Sequence, residues 1–180
     1  MAYTITEALA EIKTINKRME TKCGAIGQYL ARDARIKDPL EKDGGSTQYI
    51  ARERQSLSDL EQRIVSIRTA IQSSNLKSIL VVNGQTRSVA EWLTWRRELA
   101  SSKKTFLASL STTIRNLRNA VQQKGSKLIA ASSEQSAEAG EVVVHLDEKA
   151  LLAEIENLET TLGELDGKLS LANATTVIDV

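Results

Sequence analysis

The sequence predicts a mainly α-helical protein, an elongated antiparallel bundle of about four long helices carrying one or two small β-hairpins. Three observations predict it. Leu151, Ile155, Leu158, Leu162, Leu165, Leu169 and Ala172 recur at alternating spacings of four and three, the rhythm that lays one apolar seam along a helix. Pro39 is the only proline in 180 residues, so long stretches are free to stay helical. Two Trp, three Tyr and one Phe are the only aromatics, which leaves the core to Leu, Ile, Val and Ala. A single domain over 1–180 is expected, because a chain of this length buries a sizeable core.

The first helix should begin at Thr4, where Thr4-Ile5-Thr6-Glu7 reads as a capping box. Ile5, Leu9, Ile12, Ile15, Met19, Cys23, Ile26 and Leu30 then recur every three or four residues. Gly24 and Gly27 are poor helix formers, and on a long helix they read as close packing or a bend. Residues 36–46, with Asp38-Pro39 and Asp43-Gly44-Gly45, read as a loop. A second helix over about 47–74 carries Leu57, Leu60, Ile64, Ile67 and Ile71, with Asn75 suited to its end. Residues 1–75 should therefore form an antiparallel helical hairpin.

The period then changes over 76–87. Ile79-Leu80-Val81-Val82 is rich in β-branched residues, and Asn83-Gly84 is the strongest short hairpin signal, since both residues tolerate positive φ. Ser88-Val89-Ala90-Glu91 is a second capping box and opens a long basic helix over 88–124. Trp92, Trp95, Leu99, Phe106, Leu110, Ile114, Leu117 and Val121 are expected on its inward face. Residues 127–146 read as a β-hairpin with a polar tip at 132–140. Asp147 should cap the acidic leucine helix over 147–172, and the β-prone tail 173–180 should add to an edge strand, a neighbour's being one candidate.

Net charge is +1 but unevenly spread. Residues 1–131 hold 22 Lys and Arg against 12 Asp and Glu, and residues 132–180 hold 2 against 11. The acidic part is also heptad-patterned, so it reads as a helix that docks electrostatically on basic ones, with its glutamates facing arginines of the second and third helices.

Catalytic chemistry finds little footing. A metal site needs several His, Cys or clustered carboxylates, and the chain offers a single His145 and a single Cys23. No Gly-x-Ser-x-Gly motif is present, and Cys23 falls on an apolar helix face, where small buried cysteines are common. Glu154 with Glu159, and Glu164 with Asp166, read as a solvated or partner-facing surface. Asp43-Gly44-Gly45-Ser46-Thr47 lacks the Lys of a phosphate-binding loop and no strand leads into it, so a glycine hinge is the better reading. No enzyme activity, metal or cofactor is expected.

Two basic helices are suited to phosphates: the third, with the basic face Arg96, Arg97, Lys103, Lys104, Arg115 and Arg118 and with Lys124, and the second, with Arg52, Arg54, Arg63 and Arg68. The acidic helix supplies a protein partner for the same charges, so nucleic-acid binding is the weaker reading. The longest apolar run, Ile79 to Val82, is too short to span a bilayer, and the first residues carry charges where a signal peptide needs an apolar stretch. Cytoplasmic or virion localisation is expected.

Asn83-Gly84-Gln85-Thr86, then Ser88-Val89-Ala90-Glu91-Trp92-Leu93 with Arg96-Arg97-Glu98-Leu99, and Leu165-Asp166-Gly167-Lys168-Leu169 through Asn173-Ala174-Thr175-Thr176 resemble the septicolysin-like family of bacterial and phage helical proteins, otherwise a domain of unknown function. Ala174 stands where the family ending has Trp. The resemblance implies a helical, oligomeric protein without a known active site, and the family's name implies a lytic activity. The sequence therefore points to a structural protein that oligomerises through the seam of Leu151, Ile155, Leu158, Leu162, Leu165 and Leu169. Its partners are expected to be further copies and other proteins of a larger assembly such as a tailed-phage virion. The alternatives are a cytosolic helical regulatory or nucleic-acid-associated protein, and a septicolysin-like lytic protein.

Overall fold

The computed structural model describes residues 2–130, 133, 138 and 140–180. In chain order its elements are β1 (Ala2–Thr4), α1 (Ile5–Gln28), a 3-10 turn (Glu41–Asp43), α2 (Gly45–Lys77), β2 (Ile79–Val82) and β3 (Gln85–Ser88). There follow α3 (Val89–Thr94), a π-helical turn (Trp95–Ala100), α4 (Ser101–Gln123), β4 (Leu128–Ala130), β5 (Val142–Val144), α5 (Glu148–Thr175) and β6 (Val177–Asp179). The protein is mainly helical with small strand pairs. It divides into two compact units, Met1–Ser78 with Ser170–Val180, and Ile79–Leu169.

In the first unit, α1 begins where the sequence predicts. The Thr4 hydroxyl accepts from the Glu7 N–H at 3.2 Å, and the Glu7 carboxylate accepts from the Thr4 N–H at 2.8 Å. The Thr4 N–H first, then the Thr4 hydroxyl, which donates to the same carboxylate at 2.9 Å, hold the Glu7 carboxyl below its ordinary range. Helices α1 and α2 run antiparallel, since Arg63 meets Glu11 at 3.0 Å and Lys22 meets Glu53 at 2.6 Å. Ile5, Ala8, Ile12 and Ile15 of α1 are buried with Ile67 and Ile71 of α2 and Ile178 of β6.

That last residue places the tail. Strand β6 pairs antiparallel with β1, Tyr3 opposite Ile178, so the tail adds to an edge within its own chain rather than a neighbour's. Strand β1 was not expected, because three residues show no period. Residues 173–175, assigned to the tail, remain helical.

The connecting loop is held by Asp38. Its carboxylate accepts from the Leu40 N–H at 2.9 Å, the Ser46 N–H at 2.9 Å and the Ser46 hydroxyl at 2.6 Å. These bonds, the Ser46 hydroxyl's first, pull its pKa down to about 2. With φ of 93° at Gly44 and 85° at Gly45, the chain turns into α2 two residues before Thr47, and the helix runs past Asn75 to Lys77. Nothing lies within 4 Å of a Cβ built at Gly24 or Gly27, so they mark no close packing; α1 simply ends at Gln28. Cys23 is exposed, and so is Leu30. At that end of the helical pair, Lys22–Glu53 and an edge-to-face Tyr29–Tyr49 contact take the place of the isoleucine seam.

In the second unit, β2 and β3 form the expected hairpin, with Val82 opposite Gln85 and φ of 46° at Asn83 and 72° at Gly84, a turn with both residues left-handed. Ser88 and Glu91 complete the second capping box. Val82, Val89, Trp92, Leu165 and Leu169 form one buried cluster; Ala100, Leu107, Ile114, Leu151 and Leu158 form another. Trp92 is 1% exposed. Its indole N–H donates to the Leu80 carbonyl at 3.2 Å, and the Arg87 guanidinium lies 4.8 Å from its ring centroid.

Two expectations for this unit are corrected. Strands β4 and β5 pair in parallel, Leu128 opposite Val142 and Ala130 opposite Val144, and are not a β-hairpin. Alternation shows that a segment is extended but not the direction of its partner, and no tight-turn pair sits between these two. The tip expected at 132–140 lies largely outside the described residues.

The second correction concerns the long helix. Trp92 and Ala100, eight residues apart, both face the core, and Leu107, Ile114 and Val121 follow at intervals of seven. The π turn absorbs the extra residue and rotates everything after it by about 100°. Leu99 and Phe106, expected inside, are each 59% exposed, and Ala100 and Leu107 take their places at 2%.

Candidate interaction surface

Many charged groups of the second unit pair within it. Helix α4 and the π turn before it run antiparallel to α5, tied by Arg96–Asp166 at 3.0 Å from the π turn and by Lys103–Glu154 at 2.6 Å, Lys104–Glu159 at 3.6 Å and Arg118–Glu148 at 2.6 Å from α4. Four of the six basic-face residues thus meet carboxylates of the acidic helix. Arg97 meets Glu98 beside it at 2.8 Å, and Arg115 makes no ion pair among the described residues. The pairing of an acidic helix with a basic one is as the charge pattern suggests. The groups are half-exposed, so each pair contributes at most about 1 kcal/mol and guides alignment more than stability.

The leucine seam of α5 is filled by the chain itself. Leu151, Leu158, Leu165 and Leu169 are buried, and Ile155 and Leu162 are half-buried against the same clusters. Thr161, also buried, receives the Asn83 side-chain amide at 2.8 Å; that amide donates to Asn157 as well. The Asn83 N–H donates to Glu164 at 2.8 Å, while Lys168 donates to Glu164 at 2.6 Å and to the Val81 carbonyl. The lysine contact, then the Asn83 N–H, keeps the Glu164 carboxyl below its usual range. These bonds clasp the hairpin turn onto α5. The tolerance of positive φ predicted the turn at Asn83-Gly84; nothing in the spacing predicted that Asn83 would also anchor it.

His145 is exposed at the end of β5, on the rim of a cavity of about 510 Å³ bounded also by Arg118, Leu128, Asp147 and Lys149. Arg118 is held there by Glu148, and Asp147 accepts from the Lys149 and Ala150 N–H groups as the cap of α5. No three His, Cys, Asp or Glu side chains gather as metal ligands among the described residues.

What is left over is apolar. The residue preceding each inward position of α4 forms a second line: Leu99, Phe106, Thr113 and Ala120, all exposed. Leu110 and Leu117 lie between this line and the core, half-buried and 37% exposed respectively. Leu99, Phe106, Leu110, Thr113, Leu117 and Ala120 are spaced seven, four, three, four and three, a heptad rhythm whose position between Leu99 and Phe106 is held by Lys103, paired with Glu154 of α5. In the sequence Trp92, Leu99 and Phe106 also run at sevens; what separates the frames is that Leu107, Ile114 and Val121 are apolar throughout, whereas Leu99 and Phe106 continue into Thr113 and Ala120.

The chain matches no family model, no curated protein and no solved structure among those compared with it.

Proposed function

We propose that this chain is a non-enzymatic structural protein that works by packing its helices against other chains, as an oligomerising component of a larger particle such as a tailed-phage virion. One observation carries the reading: α4 bears two heptad seams, and only one is filled within the chain. Single exposed leucines are ordinary on soluble proteins, whereas an exposed line at heptad spacing is the pattern of a helix awaiting a partner. The oligomerising role assigned to the α5 leucines passes to this face, because those leucines are already covered. The virion setting rests on the resemblance to bacterial and phage helical proteins.

The two alternatives have less support. Nucleic-acid binding loses four of the third helix's cations, Arg96, Lys103, Lys104 and Arg118, to the acidic helix. For the lytic reading, no helix of the described residues is long and apolar enough to cross a membrane; dye release from liposomes would revive it. Light scattering across protein concentration tests the assembly reading. A molar mass that rises above 19.7 kDa supports it, and a constant single-chain mass overturns it.

A further inference from the structure

Building on the reading that other chains pack on the outer line of α4, we infer that this line is switchable. The extra residue of the π turn moves along the helix, so that residues 95–107 take either of two registers one residue apart. The structure holds the first, with the π turn at Trp95–Ala100, Ala100 and Leu107 inward, and Leu99 and Phe106 outward. In the second register the turn sits between Phe106 and Ile114, and Leu99 and Phe106 take the inward places. Ile114 and Val121 keep theirs in both.

The sequence suits both registers. Trp92, Leu99 and Phe106 run at sevens, then an interval of eight leads to Ile114 and one of seven to Val121. One extra residue between Trp92 and Ile114 is therefore needed, and the apolar pattern accepts it at either end. Over this stretch like residues stand in pairs: Arg96-Arg97, Leu99-Ala100, Ser101-Ser102, Lys103-Lys104 and Phe106-Leu107. A shift of one residue exchanges apolar for apolar and cation for cation. Lys103 takes the place of Lys104 opposite Glu159, and only Lys103–Glu154 is given up, because Ser102 then stands opposite Glu154. The doubling ends at Thr113-Ile114, where one member is polar, and that bounds the travel of the turn.

The two registers set packing against exposure. The first seats small Ala100 in the cluster it shares with Leu107 and Leu158, but leaves Leu99 and Phe106 each 59% exposed. The second covers both and returns Ala100 and Leu107 to water, with two bulkier side chains to fit in the seam. A π turn differs from its neighbours by a single unmatched residue, so it advances by exchanging carbonyl acceptors along the helix. A chain packed on Leu99 and Phe106 holds the first register; without one, the second gains.

Thiol labelling tests this in chains carrying Cys23→Ser and Ala100→Cys, at concentrations well below any association. Deleting Arg97 removes the extra residue at the first seat and locks the first register. Deleting exposed Thr112 removes it at the second seat and locks the second. Both deletions should keep the helical circular dichroism of the undeleted chain. The thiol at position 100 should react at least about tenfold faster in the Thr112 deletion than in the Arg97 deletion, with the undeleted chain in between. A Thr112 deletion that fails to fold, or that protects the thiol as the Arg97 deletion does, would overturn the second register. Equal rates in the undeleted chain and the Arg97 deletion would overturn the movement of the turn. No partner enters these measurements, so the assembly reading stands or falls separately, on molar mass.

Discussion

Deleting Arg97 should leave the fold intact. In a regular helix, removing one residue rotates all that follows by about 100°. Leu107, Ile114 and Val121 would leave the core, each forfeiting about 1.5–3 kcal/mol of burial, roughly 5–9 kcal/mol together. That is the whole stability of an ordinary domain, about 5–15 kcal/mol. The π turn over Trp95–Ala100 changes the outcome. It holds one residue more than the heptad frame needs, so deletion brings the buried Trp92 and Ala100 to the seven-residue spacing and leaves the later seam in place. Arg97 is exposed and its ion pair joins it only to neighbouring Glu98, so little else is lost. The expected change is within about 1 kcal/mol, the size of an ordinary surface substitution. Urea denaturation followed by circular dichroism reads it directly. A loss of several kcal/mol, or failure to fold, would refute the two-seam geometry of α4. A companion pair sharpens the test: Leu107→Ala should cost about 2–5 kcal/mol and Leu99→Ala under about 0.5 kcal/mol.

Other outcomes follow from single residues. Trp92→Ala should cost about 3–5 kcal/mol, because the side chain fills the hairpin cluster and its N–H satisfies the Leu80 carbonyl; thermal or urea unfolding measures it. Asn83→Ala removes the two side-chain bonds that hold the turn to α5 and should lower stability by about 1–3 kcal/mol in the same assay. Asp38 has a folded pKa of about 2, below an unfolded value near 3.9. Its contribution to stability is therefore complete above that unfolded value and is lost as pH falls through about 2. Asp38→Asn should flatten the acid limb of a stability-versus-pH curve, and an unchanged slope would contradict the bonding described for the loop. On an immobilised DNA or heparin column, the chain should elute below about 0.15 M salt, since four of its six basic-face residues are paired internally.

The sequence was most legible where local chemistry decides the structure. Thr4 with Glu7 and Ser88 with Glu91 are capping boxes whose atoms lie within three residues of each other, and Asn83-Gly84 is a turn written in two. The leucines of α5 were legible for a related reason, because a heptad seam demands burial whatever covers it. Legibility failed where a partner distant in sequence determines the outcome. Strand β1 exists because β6 lies beside it, and three residues alone carry no sign of that. The parallel pairing of β4 with β5 depends on direction, to which alternation is blind. The inward face of the long helix was misassigned at Leu99 and Phe106 because spacings of three and four fit two adjacent frames. The interval of eight from buried Trp92 to buried Ala100, which the structure shows, breaks the tie. The candidate surface was thus visible as a set of apolar residues, and its exposure depended on a turn of π-helix that propensity does not announce.

Thiol accessibility along α4 would test the central idea most directly, in a Cys23→Ser chain carrying one new cysteine at a time. Thr113→Cys lies on the open seam, and Gln122→Cys lies on the opposite flank, one residue past buried Val121. Labelling at position 113 should slow at least about tenfold as protein concentration rises through the association range, while labelling at 122 stays constant. Equal rates at both positions at every concentration would mean that nothing covers the second seam, and the case for a protein that functions by joining copies of itself would fall.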